Sequence, residues 1–218
     1  MFIPRHPVVE NQFCSYAAQT ALTTGIGGVV AYAGSVVYLD PAATNQEPMV
    51  KKMAYSASPF TPFGFLMQKV KTGYHQVHPA GMVLPGDLGS SDAIAQPSYS
   101  AAGAITGTKA VPVGVAHLGI WDTVHYTCLK TSSSLVSTPT AAILPGESLY
   151  AAADEGKLTN SAVAADSSTD TADTGYTGVG SNASTTVVAR VVKGASVAKA
   201  AANINNVTLY PIRVKLLI

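Results

Sequence analysis

His75 and His78 stand three residues apart in Tyr74-His75-Gln76-Val77-His78-Pro79. On a helix that spacing turns two imidazoles toward one metal ion. Gly73 and Pro79 bracket the segment and oppose a helix, and no third ligand lies nearby. A pair of exposed loop histidines and no bound metal is the expectation. His117, Trp121 and His125 recur at intervals of four, so in a strand they share one face. The two imidazoles are then too far apart for a common metal. Packing or subunit contact beside Trp121 is expected instead, because tryptophan buries a large area with few rotors to freeze. Asp166, Asp170 and Asp173 bring three carboxylates into a Ser/Thr-rich stretch. The ligand spacing and terminal glutamate of a calcium-binding loop are missing.

Covalent and phosphate chemistry find no better support. There is no G-x-S-x-G elbow for a nucleophilic serine, and the acids before Glu147 are scattered, without the pairing that general acid–base work needs. Gly25-Ile26-Gly27-Gly28 lacks the lysine and following helix of a phosphate-binding loop and reads as a hinge. No cofactor is expected, and the chain is read as non-enzymatic. Cys14 and Cys128 are too few for a disulfide framework and fit a reducing compartment during synthesis. The net charge of +1 offers no basic excess for nucleic acid. The stretch from Asn11 to Leu39 carries no formal charge, but Gln12, Gln19, three threonines and four glycines dilute it below what a membrane span requires. No secretion signal is read at the start, because Glu10 and Asn11 fall where an apolar core would be.

The elements that would position these residues are short strands. Val29–Tyr32, Val36–Leu39, Phe63–Val70, His117–Leu129, Val187–Val192 and Val207–Ile218 are β-prone runs bounded by Gly, Pro and Asp turns. A brief Ala-rich helix is expected at Ser196–Ala202. With no βα alternation, the fold class is all-β, a sandwich or barrel body with long irregular loops. In His117–Leu129 the period of two places Leu118, Ile120, Val124, Tyr126 and Cys128 on the buried face. In the last strand, Thr208, Tyr210, Ile212, Val214, Leu216 and Ile218 share a face, and Pro211 argues for an edge strand or a bulge. Residues 161–186 are a low-complexity surface loop.

Residues 1–24 read as an extended N-terminal arm outside the body of residues 25–218. Pro4 and Pro7 hold its start out of a helix, and Asn11–Leu22 suits a short helix or a strand equally. Phe2, Ile3, Val8, Val9 and Phe13 are apolar groups that need a surface to cover them. Together with Trp121, they are the candidate contact residues. Removing residues 1–20 is then expected to leave a soluble body that no longer attaches to its partner.

Two stretches share one plan. Gly34-Ser35-Val36-Val37-Tyr38-Leu39-Asp40, a polar link and Phe65–Gly73 match Gly146-Glu147-Ser148-Leu149-Tyr150-Ala151-Ala152, a polar link and Val187–Gly194. The plan suits two related modules, 25–112 and 113–218, or two halves of one barrel.

Charged residues make up only 11% of the chain, under half the usual share, as suits life inside an assembly. Acids crowd between Glu147 and Asp173, whereas Val187–Ile218 holds Arg190, Lys193, Lys199, Arg213 and Lys215 and no acid. Such sorting can steer one copy onto another.

The segment Leu144-Pro145-Gly146-Glu147-Ser148-Leu149-Tyr150, continuing to Asp154-Glu155-Gly156-Lys157-Leu158-Thr159, resembles a hairpin of tailed-phage capsid decoration (cement) proteins and head fibres. A valine-rich strand and a last strand follow it there, as Val187–Gly194 and Val207–Leu217 do here. This chain departs from the pattern by inserting Glu155 between Asp154 and Gly156, by its long 161–186 loop and by an unmatched 79–143 region. The resemblance implies a virion protein on the capsid exterior with the major capsid protein as partner. It also implies a homo-oligomer, with a trimer at local three-fold positions as one arrangement. A tail-tube, tail-fibre or head-fibre component would share the same β-content and low charge. A small β-fold hydrolase or carbohydrate-binding module would need convergent polar groups that the sequence does not display.

Overall fold

A computed structural model describes residues 2–5, 10–18, 28–43, 48–53, 61–73, 92–127, 142–152, 156–160, 186–204 and 208–218. The strands in chain order are β1 (Phe2–Pro4), β2 (Glu10–Tyr16), β3 (Val29–Ala31), β4 (Val36–Leu39), β5 (Met49–Lys52), β6 (Gly64–Leu66), β7 (Lys69–Thr72), β8 (Asp92–Ala95), β9 (Pro97–Tyr99), β10 (Ile105–Thr108), β11 (Val111–Leu118) and β12 (Ile120–Thr123). They continue with β13 (Ser148–Ala151), β14 (Leu158–Thr159) and β15 (Ala189–Lys193), then helix α1 (Val197–Ile204) and strand β16 (Ile212–Leu216). The regular structure of the described residues is therefore all strand but for one short helix, as the short turn-bounded runs require.

Strands β11-β2-β5-β4-β6 close into a barrel. Its interior takes alternate residues from each stave: Cys14 and Tyr16, Val37, Val50, Leu66, Val113 and Val115. The order β12-β16-β15-β13-β14 repeats that arrangement in the second half of the chain. A parallel bridge from Tyr126 to Leu158 joins its two ends, with Thr127 N–H donating to Leu158 O at 2.7 Å. In the first barrel Tyr16 pairs in parallel with Val50, and Ala17 N–H donates to Val50 O at 2.9 Å.

The correspondence extends bond by bond. Gly34 N–H donates to Leu66 O, as Gly146 N–H does to Val191 O; Leu66 N–H donates to Ser35 O, as Val191 N–H does to Glu147 O. Phe63 N–H to Val37 O matches Val188 N–H to Leu149 O, and Asp40 N–H to Met49 O matches Ala152 N–H to Lys157 O. Ala31 pairs with Val70 as Ile143 pairs with Ala195. Gly34 and Gly146 both adopt positive φ, 92° and 87°, which glycine alone tolerates without strain. The repeated plan thus takes the form of two matching five-strand units, called below the first and the second barrel: β11-β2-β5-β4-β6 closes through its ladders, and β12-β16-β15-β13-β14 is joined end to end by the Tyr126–Leu158 bridge. They adjoin at Gly119 and do not follow the bounds 25–112 and 113–218, since β2 and β11 belong to the first and β1 pairs with the second.

One outer face explains where the two copies differ. Val36, Phe65 and Ala116 of the first barrel lie in the same buried cluster as the interior of the second, with Trp121, Tyr126, Leu149, Leu158, Val214 and Leu216. Their register equivalents in the second barrel are Ser148, Arg190 and Lys215, which are half-buried or exposed. The apolar version is covered by the neighbouring barrel; the polar version faces water. Each fully buried apolar side chain contributes roughly 1.5–3 kcal/mol of transfer free energy before entropy is subtracted.

Several expectations change. Residues 1–24 do not form a separate arm where they are described: β1 pairs antiparallel with β12, and β2 is a stave of the first barrel. Prolines keep a chain extended, and an extended apolar chain can complete its own sheet as readily as reach outward. Removing residues 1–20 therefore takes out a barrel stave, and loss of the cooperative unfolding transition is now the expected result, rather than a soluble body. His117–Leu129 is not one strand. Gly119 adopts φ 121° and the β11–β2 register slips between Ala116 and Leu118. Trp121, Thr123 and His125 are buried while Leu118 is exposed, contrary to the period-two reading, although Tyr126 is buried as that reading expects. The odd positions Val113, Val115, Trp121 and Thr123 are buried on both sides of Gly119, so the apolar side chains of Leu118 and Ile120 pointed to the wrong face. Ile212, Val214 and Leu216 do share a buried face, but β16 runs between β12 and β15. Pro211 sits just before it, where no ladder donor is needed. Val8, Val9, His75, His78, Cys128, the 25–27 part of the glycine hinge and residues 161–185 lie outside the described residues.

Candidate functional site

The seam between the barrels gathers the chemically capable side chains. Phe2 is carried there by β1, and its ring stacks on Trp121 with centroids 4.3 Å apart and on Phe65 at 5.9 Å. Trp121 is 1% exposed, and its indole N–H donates to Leu118 O at 3.2 Å, which satisfies the one polar group that burial would leave stranded. Two of the candidate contact residues are thus core residues of their own chain. Ile3 is half-buried beside them. Phe13, at 81% exposure, is the described candidate that faces solvent.

Glycines let the barrels approach. Gly34 sits against Thr123, Phe2 and His125. Gly156, at φ 65°, accepts a hydrogen bond from Val36 N–H at 2.7 Å. His125 and Ser35 share a hydrogen bond of 3.0 Å between Nε2 and Oγ, the spacing of a nucleophile and its base. Ser35 is completely buried, so its hydroxyl has no approach for a substrate carbonyl, and the pair pins one barrel to the other. His117 lies on the far side of the Gly119 bulge with its ring edge-on to Phe63 at 4.8 Å. The two histidines expected on one face therefore serve separate contacts.

Asp122 is the charged centre of the β1-β12-β16 part of the second barrel. Arg213 on β16 donates from Nε to Oδ1 at 2.8 Å and from Nη2 to Oδ2 at 3.2 Å, and Arg5 donates from Nε to Oδ2 at 2.7 Å. The Arg213 hydrogen bonds, followed by those of Arg5, hold the carboxyl below its ordinary 3.8 in spite of partial burial. A depressed folded-state pKa gives stability that is present above the unfolded value and lost as pH falls through the folded one. Asp122→Asn is expected to cost about 2 kcal/mol at neutral pH, the scale of charge-assisted hydrogen bonds. The gap between the two proteins should narrow as pH falls below the carboxyl's ordinary 3.8. Urea titrations of both across that range check it; a gap independent of pH would show that the charge contributes nothing.

A cleft of about 420 Å³ opens beside the seam, lined by Phe2, Tyr32, Met67, Lys69, Asp92 and His125 among others. Its charges neutralise one another: Asp92 accepts Lys71 at 2.8 Å and Lys69 at 3.4 Å. Among the described residues, no three histidines, cysteines or carboxylates gather to hold a metal. Cys14 is a buried free thiol whose pKa burial pushes up, away from nucleophilic use. No described helix is long and apolar enough to cross a membrane.

Sequence reasoning missed Asp122 and Ser35. In sequence Asp122 is only an acid that interrupts the apolar positions of His117–Leu129, and its partners lie 117 and 91 residues away. No family model, curated protein or solved structure matches the chain.

Proposed function

We propose that the chain is a non-catalytic structural subunit of a virus particle. It binds the outer face of a tailed-phage capsid and ties neighbouring major capsid subunits together as an oligomeric cement. The observation that carries this reading is the use made of the reactive side chains. His125, Ser35 and Trp121 hold two barrels against each other, and Asp122 ties Arg5 and Arg213 to β12 within the second barrel. The low charge leaves a surface with little resistance to protein contact. The hairpin around Gly146 and Gly156, where the resemblance to decoration proteins lies, is itself part of the seam. Cement action needs a rigid body presented in many copies, and two fused barrels supply one.

The test is co-sedimentation of the purified chain with empty shells of the major capsid protein. Binding that saturates at a fixed ratio to capsid subunits and raises the temperature at which shells disrupt is expected. Shells that neither retain the chain nor gain heat resistance would contradict the proposal.

A further inference from the structure

The duplication exposes a difference between the barrels. On the second, β1 runs antiparallel along the outer edge of β12, pairing Phe2 with Thr123 and Pro4 with Trp121, and Arg5 N–H donates to Ile120 O at 2.7 Å. The matching stretch of the first barrel follows from register. Gln12 and Trp121 face Val115 and Val214, and Cys14 and Thr123 face Val113 and Ile212. The edge that β1 covers on β12 is therefore equivalent to the β2 edge at Asn11–Phe13. There, β5 reaches β2 only at Ser15 and Tyr16, and no described strand lies alongside Asn11–Phe13. Ser15 and Ala17 donate toward the β5 side, so by alternation the backbone groups of Asn11 and Phe13 point out along the same edge. Gln12 is exposed where its counterpart Trp121 is buried, and Phe13 is 81% exposed where its counterpart Asp122 is 6% exposed.

We infer that this edge pairs antiparallel with the same edge of a second copy of the chain, in the position β1 occupies on the other barrel. The usual guards against such pairing are missing. Residues 11–18 contain no charge, no lysine and no proline, the devices that keep open edges apart. Identical edges running antiparallel close about a two-fold axis, so the contact ends at a dimer instead of propagating. With the axis at Gln12, Asn11 of each copy exchanges hydrogen bonds with Phe13 of the other. The two Phe13 rings become diagonal neighbours on one face, within aromatic reach. A second copy suits the edge better than a free N-terminal strand, because β1 is already committed to its own core through Phe2. The pairing holds whether or not the chain sits on a virus shell.

The register makes a sharp test. Gln12 faces its own copy at a non-hydrogen-bonded position, where Cα atoms approach to about 4.5 Å, within reach of a disulfide. In a Cys14→Ser, Cys128→Ser background, Gln12→Cys should oxidise to a covalent dimer, while Ser98→Cys on β9 should not. Sedimentation equilibrium gives the second measurement. The unmodified chain should dimerise, and Phe13→Lys should weaken that dimer at least about tenfold, or 1.4 kcal/mol. Phe13→Pro should do the same while leaving the β2–β11 ladder intact, since only the outward donor is lost; circular dichroism reports whether each variant remains folded. An unmodified chain that stays monomeric at high concentration would overturn the inference. So would a dimer that survives both Phe13 changes, or one that Gln12→Cys fails to trap.

Discussion

Trp121→Ala should cost about 4 kcal/mol, the upper range for removing a buried aromatic, and lower the melting temperature by roughly 10 °C or more for a chain of this size. The indole is 1% exposed and belongs to the cluster that joins the second barrel's interior to Val36, Phe65 and Ala116 of the first. Removing it leaves a cavity that two rigid sheets cannot close, and strands the Phe2 ring that lay flat on it at 4.3 Å. Trp121→Phe keeps the stack and should cost less than half as much. Phe2→Ala combined with Trp121→Ala should fall short of the sum of the two single changes by about 1 kcal/mol, the coupling of an aromatic pair. Urea unfolding followed by circular dichroism gives all four values. Full additivity would mean that β1 and β12 do not share a core.

Gly156→Ala should cost about 3 kcal/mol. Its φ of 65° already strains an L side chain, and a Cβ there would stand 2.6 Å from Val36 O and 3.2 Å from Val36 N. Those atoms are backbone and cannot swing aside, so the hairpin must lift away from β4. The hydrogen bond from Val36 N–H to Gly156 O goes with it. Gly103 is the control: it also has positive φ, 79°, but nothing lies within 4 Å of its Cβ position. Gly103→Ala should therefore cost only the backbone strain, on the order of 1 kcal/mol. Thermal melts of the two variants compare clash with strain. Equal losses would show that Gly156 does not bear on the seam.

Much of the fold was legible in local pattern. Gly, Pro and Asp punctuation marked the turns, and the alternation of Ile212, Val214 and Leu216 gave their shared face correctly. The paired runs at Gly34 and Gly146 held the internal repeat, since a positive-φ glycine two residues before a strand, followed by a tyrosine, leaves a trace in sequence. What failed was parity and distance. Nothing local in Leu118-Gly119-Ile120 announces that the chain passes from one barrel to the other there, and the apolar Leu118 and Ile120 outweighed Trp121 and Thr123 in choosing the buried face. Phe2 looked like an arm residue because its covering ring, Trp121, lies more than a hundred positions away. Asp122 looked like an interruption because both its arginines come from the far ends of the chain. Phe13 was read as an exposed apolar group, and its exposure is observed; the reason it matters, an edge that no described strand covers on one barrel and that β1 covers on the other, lies in the comparison of the two barrels.

An averaged image of the intact particle would test the proposed role most directly. Density for paired barrels seated on the outside of the shell, bridging adjacent major capsid subunits, is the result the proposal predicts. Finding the chain in the tail tube or a fibre, or finding particles of the same composition without it, would contradict the proposal.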